Sequence, residues 1–267
     1  MSRFPRIALI LPFLALAATA PAPAAAQADT LVVEPGSPLV RGDAIPVHSS
    51  RTVLRAGGPD GEPRGTITNY MEIGDSAGRG VIRFRTEGDI AGPNGRNTYT
   101  LRQTFDRETL QPLGFAAAGS AGRESSFRID RTQVTGWSRG PGQEPQPFAK
   151  ELPRRAFHAG ATDIILGVLD LRPGLVVRMP VWSPGMPDVE ERVYTVGEEV
   201  PVQMGGRTMR GWKVAEWSSR RNAVIGTMVA ITGVPFMETY DVLAADGSRS
   251  FWRQELLTLD GVPTARE

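Results

Sequence analysis

Short runs that alternate apolar and polar residues, cut at intervals by glycine and proline, dominate this chain. In 98–105, Tyr99, Leu101 and Phe105 fall on one side, and Thr98, Thr100, Arg102 and Thr104 on the other. Successive side chains of a strand point to opposite faces, so a period of two marks a sheet with one dry and one wet face. Ile82 and Phe84 repeat the pattern against Arg83 and Arg85, and Phe127 and Ile129 against Ser126, Arg128 and Asp130. Gly74-Asp75, Gly92-Pro93-Asn94-Gly95 and Asp246-Gly247 are turn signals between such runs, because they supply positive φ or preset a bend. The segment 140–147 (GPGQEPQP) suits neither a helix nor an interior strand and reads as a loop.

A second block of candidate strands covers 176–182, 192–196, 207–217, 223–232, 236–243 and 250–258. Between the blocks, Ile164, Ile165, Val168 and Leu169 recur at helical spacing. Ala161-Thr162-Asp163 is the expected cap of that helix and Arg172-Pro173-Gly174 its end. The expected fold is therefore mainly β: a strongly curved antiparallel sheet, a half-barrel, with one short apolar helix in or near its concavity. Two small β domains joined near Pro141 are the alternative. The organisation reads as a signal peptide over 1–26, a Pro/Gly-rich lead-in over 27–62 with one strand near 51–56, a single β-rich domain over 63–259, and a tail over 260–267.

The N-terminus carries Arg3 and Arg6, then the apolar stretch 7–20, then a small-residue tail. That order is a secretory signal peptide, with cleavage expected after Ala26 or Ala28. The apolar stretch is shorter than the ~20 residues needed to span hydrocarbon, and Pro12 interrupts it. No cysteine follows it, so a lipoprotein anchor is not expected. With no cysteine anywhere, the exported chain must hold its fold by packing alone. The expected location is the bacterial periplasm or the medium. Lys+Arg number 30 against 29 Asp+Glu, and a chain so nearly neutral lacks the basic face that nucleic acid demands.

Chemical motifs are weak. Gly136-Trp137-Ser138-Arg139-Gly140 matches the hydrolase pentapeptide, but that motif works on a strand-to-helix turn, and Gly140-Pro141-Gly142 follows it here. A Ser138 triad would need His158, since His48, the other of the two histidines, lies in the lead-in. Asp106, Glu108, Asp130 and Asp163 are carboxylates from which no pair can be singled out. Asp188, Glu190 and Glu191, and Glu198 with Glu199, lack metal-loop spacing. No catalytic residue, metal ligand or cofactor is expected. Arg83, Arg85, Arg102 and Arg128 would form a basic stripe on the wet face if their strands align.

The segment Phe105-Asp106-Arg107-Glu108-Thr109-Leu110-Gln111-Pro112-Leu113, the apolar stretch closing on Leu171-Arg172-Pro173-Gly174, and the strand Phe251-Trp252-Arg253-Gln254-Glu255-Leu256 carry a resemblance. Over 65–259 the chain resembles a family of exported bacterial β-rich proteins of unknown function, similar in architecture to lipoprotein-carrier half-barrels. The resemblance implies a helix held in a curved sheet, with an apolar ligand as a candidate occupant. The long lead-in and the apolar 223–232 strand depart from the family pattern.

Phe84, Tyr99, Leu101, Phe115 and Phe127 come together if the strands pair in order. With Ile165 and Leu169 of the helix, they form the candidate ligand-binding set. The leading functional expectation is a non-enzymatic carrier of a lipid or other apolar molecule in the cell envelope. An assembly module that docks an envelope protein is the alternative, and a hydrolase built on Ser138 or a carboxylate pair ranks last.

Overall fold

The computed structural model describes residues 29–260 apart from 93, 94, 205, 206, 235 and 245, together with the backbone of 262 and 263. The signal-peptide segment and both expected cleavage positions lie outside the described residues, as does the Pro93-Asn94 turn. The strands are β1 (Thr30–Val32), β2 (His48–Ala56), β3 (Pro63–Ser76), β4 (Arg79–Gly92), β5 (Gly95–Asp106), β6 (Pro112–Gly119), β7 (Glu124–Asp130), β8 (Gln133–Arg139), β9 (Gln146–Glu151) and β10 (Phe157–His158). After the helix α1 (Thr162–Gly167) come β11 (Val176–Trp182), β12 (Glu190–Met204), β13 (Arg207–Ser218), β14 (Ala223–Ile231), β15 (Met237–Leu243), β16 (Arg249–Leu259) and β17 (Val262–Pro263).

Among the described residues all the strands join one sheet, and the mainly β fold with one short α-helix is as expected. Two antiparallel meanders, β2 to β9 and β11 to β16, meet where β2 pairs with β16, from His48–Leu259 to Ala56–Ser250. β1 and β10 lie parallel along the free edge of β11. This corrects the reading of 27–62 as a lead-in. β2 is an interior strand that seams the two halves, and its alternation places His48, Ser50, Thr52 and Leu54 on the buried side. The strand expected near 51–56 is the second part of β2, and the prolines before it hid its start at His48. His48, expected in irregular chain, is its first residue. The tail also begins with structure, since β17 pairs with the end of β16.

Several boundaries move for local reasons. Gly74-Asp75 lies within β3, and the turn falls at Ala77 and Gly78, which take φ of 55° and 79°. Asp75 stabilises that turn by accepting the Gly78 N–H at 2.9 Å. The loop after β8 ends at 145, because β9 is an edge strand that tolerates Pro147. α1 spans six residues and stops at Gly167. Its expected side-chain cap is absent: the Thr162 hydroxyl lies 3.0 Å from the Tyr194 hydroxyl instead.

The ends of the sheet curl toward each other. Phe127 and Ile129 of β7 and Val134 of β8 share an apolar cluster with Trp182 of β11, far along the strand order. The larger core gathers Met71, Ile82, Phe84 and Phe105 from one meander, Val177, Met179, Tyr194 and Trp212 from the other, and Ile164, Ile165 and Leu166 from α1. Ile164, Ile165 and Leu166 are buried together, so the second half of α1 reads as apolar without a polar stripe. Ile165→Val, which deletes one methylene from this core, is expected to lower the unfolding free energy by about 1 kcal/mol in a denaturant titration.

Candidate functional site

A cavity of about 270 Å3 remains between α1, the segment leading into it, and the inner faces of both meanders. Ile67, Phe84, Leu101, Met228, Met237 and Trp252 supply apolar wall. Thr52, Asn69, Thr86, Gln103 and Gln254 interrupt that wall with neutral polar groups, and Arg192, Glu216 and Tyr240 line another part of it. His158, Ala159, Gly160, Thr162 and Asp163 close it from the helix side. The polar residues occupy inward positions of the same alternating strands, Gln103 between Leu101 and Phe105, and Glu216 two residues after Val214.

The Arg192 side of the cavity is a buried charge network. Tyr194 and Glu216 stand directly across from each other on β12 and β13. The Tyr194 hydroxyl donates to Glu216 Oε1 at 3.1 Å, and the Tyr240 hydroxyl donates to Oε2. Arg192 donates from Nη1 to Glu216 and from Nε to Glu190 Oε1, the latter at 2.9 Å. Ser218 donates to the same Glu190 oxygen. Burial and the Glu216 charge both push the Tyr194 and Tyr240 phenols above their usual range, so both stay protonated. Through Tyr194 and Thr162 the network reaches α1.

The opposite side carries two titratable groups held out of their usual states. The His158 ring stacks on Phe115 at 5.2 Å between centroids. Its Nδ1 lies 2.6 Å from Gln103 Nε2 and accepts the Gly160 N–H at 3.1 Å. Burial lowers its pKa to about 4, which keeps the imidazole neutral near pH 7. Asp163 accepts the Ile164 N–H on Oδ1 at 2.9 Å. Burial raises its pKa to about 7, and among the described residues no cation pairs with it.

Of the seven candidate ligand-binding residues, Phe84 and Leu101 line the cavity. Phe115 packs behind His158, and Phe127 lies in the separate cluster at the meeting sheet ends. Ile165 and Leu169 are fully used in the core. Tyr99 covers Gly88, where an added Cβ would come within 2.2 Å of its ring, and borders a different groove with Glu87 and Thr100. Missed from the sequence were Thr52, Asn69, Gln103, Arg192, Glu216, Tyr240 and Trp252. The available signal was polar residues in the inward phase of otherwise dry faces.

The weaker motifs are also placed. Ser138 lies inside β8 opposite Ser125, not on a strand-to-helix turn. The ring nitrogens of His158 face Gln103, Gly160 and Ser183 instead. Glu191, Glu198 and Glu199 pair with Arg178, Lys213 and Arg210. Among the described residues, no three His, Cys, Asp or Glu are placed to hold a metal ion, and no helix is long and apolar enough to cross a membrane. In the candidate basic stripe, Arg85 and Arg102 do stand opposite each other, but Arg85 is paired with Glu87 at 2.6 Å and Arg83 donates to the Asp75 carbonyl.

The family model described as a protein of unknown function, DUF3108, matches residues 60–222, in keeping with the expected β-rich family of unknown function. No curated protein matches the chain. Among solved structures, the chain is similar to a beta-barrel-like protein of domain of unknown function DUF1849 from Brucella abortus. The identity is 12%, over 83% of this chain and 98% of that one, with a TM-score of 0.48.

Proposed function

The chain belongs to the DUF3108 family of proteins of unknown function, and we propose that it is a non-enzymatic binding protein of the bacterial cell envelope that holds one small amphipathic molecule inside its curled sheet. The observation that carries this reading is the cavity of about 270 Å3 with an apolar wall and a polar one. Small-molecule sites are concave, mostly apolar, and fixed by a few polar groups; their volumes run from roughly 300 to 1,000 Å3. This cavity, at about 270 Å3, falls just below that range. It suits a compact molecule with an apolar body and a polar head rather than a two-chain lipid, because the core side chains of both meanders and α1 fill the rest of the concavity. The signal-peptide pattern at 1–28 supports an envelope location.

Native mass spectrometry of the protein purified from its own periplasm without detergent tests the reading. The expected result is an added mass of a few hundred daltons or less that organic extraction releases, on a chain lacking the first 26 or 28 residues. A bare mass on folded protein would count against a bound cargo.

One observation favours an assembly module as a second reading: β9 pairs with β8 on one side, and no described strand covers its other side. Such edges dock partners by strand addition. Pro147 removes a donor from this edge, however, and Lys150 reaches across to the Pro187 carbonyl; both features blunt pairing. Crosslinking in cells that captured a partner through 146–151 would favour this reading.

A further inference from the structure

Asp163 does nothing for the fold that explains its position. Ile164, Ile165 and Leu166, which follow it in α1, are apolar core residues, and Asp163 lines the cavity with backbone N–H groups, that of Ile164 among them, as its protein partners. Every other charged group of the cavity is matched. Glu216 is held by Arg192 and two tyrosine hydroxyls, and Glu190 by Arg192 and Ser218. Arg192 faces two carboxylates, so it has no charge to spare for a third. Arg220, on the exposed side of Glu190 at 3.7 Å, is the other cation of the network. The cavity therefore carries an excess of negative charge, concentrated at the one carboxyl without a counter-ion.

Resting on the reading of the cavity as a small-molecule site, we infer that its ligand carries a protonated amine, seated against Asp163, on an apolar body that packs on Phe84, Leu101, Met228 and Met237. A carboxylate drawn out of water is stabilised by an ion partner as well as hydrogen bonds, and here the protein supplies backbone N–H groups but no cation. The raised pKa of Asp163, about 7, is the signature of that missing partner. His158, neutral beside it, contributes no competing positive charge. An anionic head would meet the uncompensated carboxylate of Asp163, and the cavity discriminates against it.

Three probes of matched size test the inference on the mature protein after organic extraction: 2-phenylethylamine, 2-phenylethanol and phenylacetate, titrated by calorimetry at pH 8 into the wild type and Asp163→Asn. The amine is expected to bind about tenfold or more tighter than the alcohol in the wild type, as befits a charge-assisted hydrogen bond. In Asp163→Asn that preference should vanish, the amine falling to the level of the alcohol. An alcohol that equals the amine in the wild type, or a phenylacetate that exceeds it, would overturn the amine while leaving the cavity as a binding site. If none of the three binds to protein that is folded by circular dichroism, both the amine and the cavity reading fail. The wild-type comparison stands even if the variant is impaired.

Discussion

Glu216→Ala is expected to lower the unfolding free energy by about 3–5 kcal/mol in a urea titration at pH 7, the largest loss among single changes at the cavity. Glu216 is 3% exposed and accepts from Arg192, Tyr194 and Tyr240 at once. Its removal leaves the Tyr240 hydroxyl without its acceptor and takes one of two carboxylates from Arg192, itself largely buried. Each buried polar group left unpaired costs about 1–3 kcal/mol, more where a charge is involved. Glu216→Gln keeps an acceptor oxygen for the hydroxyls and should lose roughly half as much. Equal losses from both variants would mean that packing, not the charge and hydrogen-bond network, holds β12, β13 and β15 in place. A loss under about 0.5 kcal/mol from Glu216→Ala would remove the network from the description altogether.

Asp163→Asn should move stability the other way. In the unfolded chain this carboxyl ionises near its ordinary value of 3.8, whereas burial in the fold raises it to about 7. Between those values the unfolded chain has lost a proton that the folded chain keeps, so the wild type loses stability as pH rises through that window. Above about 7 the loss is complete and constant. Three pKa units correspond to about 4 kcal/mol. Contact with the cavity and the burial of the new amide reduce the gain for the ligand-free variant to about 2–3 kcal/mol at pH 8, and to nothing at pH 4. His158 and His48, whose pKa values burial lowers, titrate in both proteins and cancel in the difference. A difference that did not grow between pH 4 and 7 would show that Asp163 is solvated or already paired. A carboxyl that weakens the empty protein is what a site keeps for its ligand rather than for its fold.

The alternation of dry and wet positions made most strands readable, and 176–182 coincides with β11. That pattern fails wherever a polar residue takes an inward position. Gln103 and Asn69 break otherwise apolar faces, and Glu216 looks like an exposed acid until its partners are known. Those partners come from different strands, and side-chain periodicity along one strand carries no information about which strand lies beside it. The same limit hid the β2–β16 seam, which joins residues some two hundred positions apart. Aromatic residues drew attention as candidate ligand contacts, yet Phe127 closes the meeting ends of the sheet and Phe115 braces His158. Large apolar side chains fill cores first. The inward polar residues are the better sequence marker of this cavity, since burying them without a purpose is costly.

The central claim, that the space inside the sheet is where this protein holds its ligand, is tested most directly by native mass spectrometry of the wild type and Leu101→Trp, both exported to the same periplasm. Leu101 lines the cavity and is not fully buried, so a tryptophan there has the room of the cavity to occupy. The expected result is a releasable added mass on the wild type that is absent from the folded variant. The same added mass on both proteins would place the ligand elsewhere on the chain, and a bare wild type would contradict the claim outright.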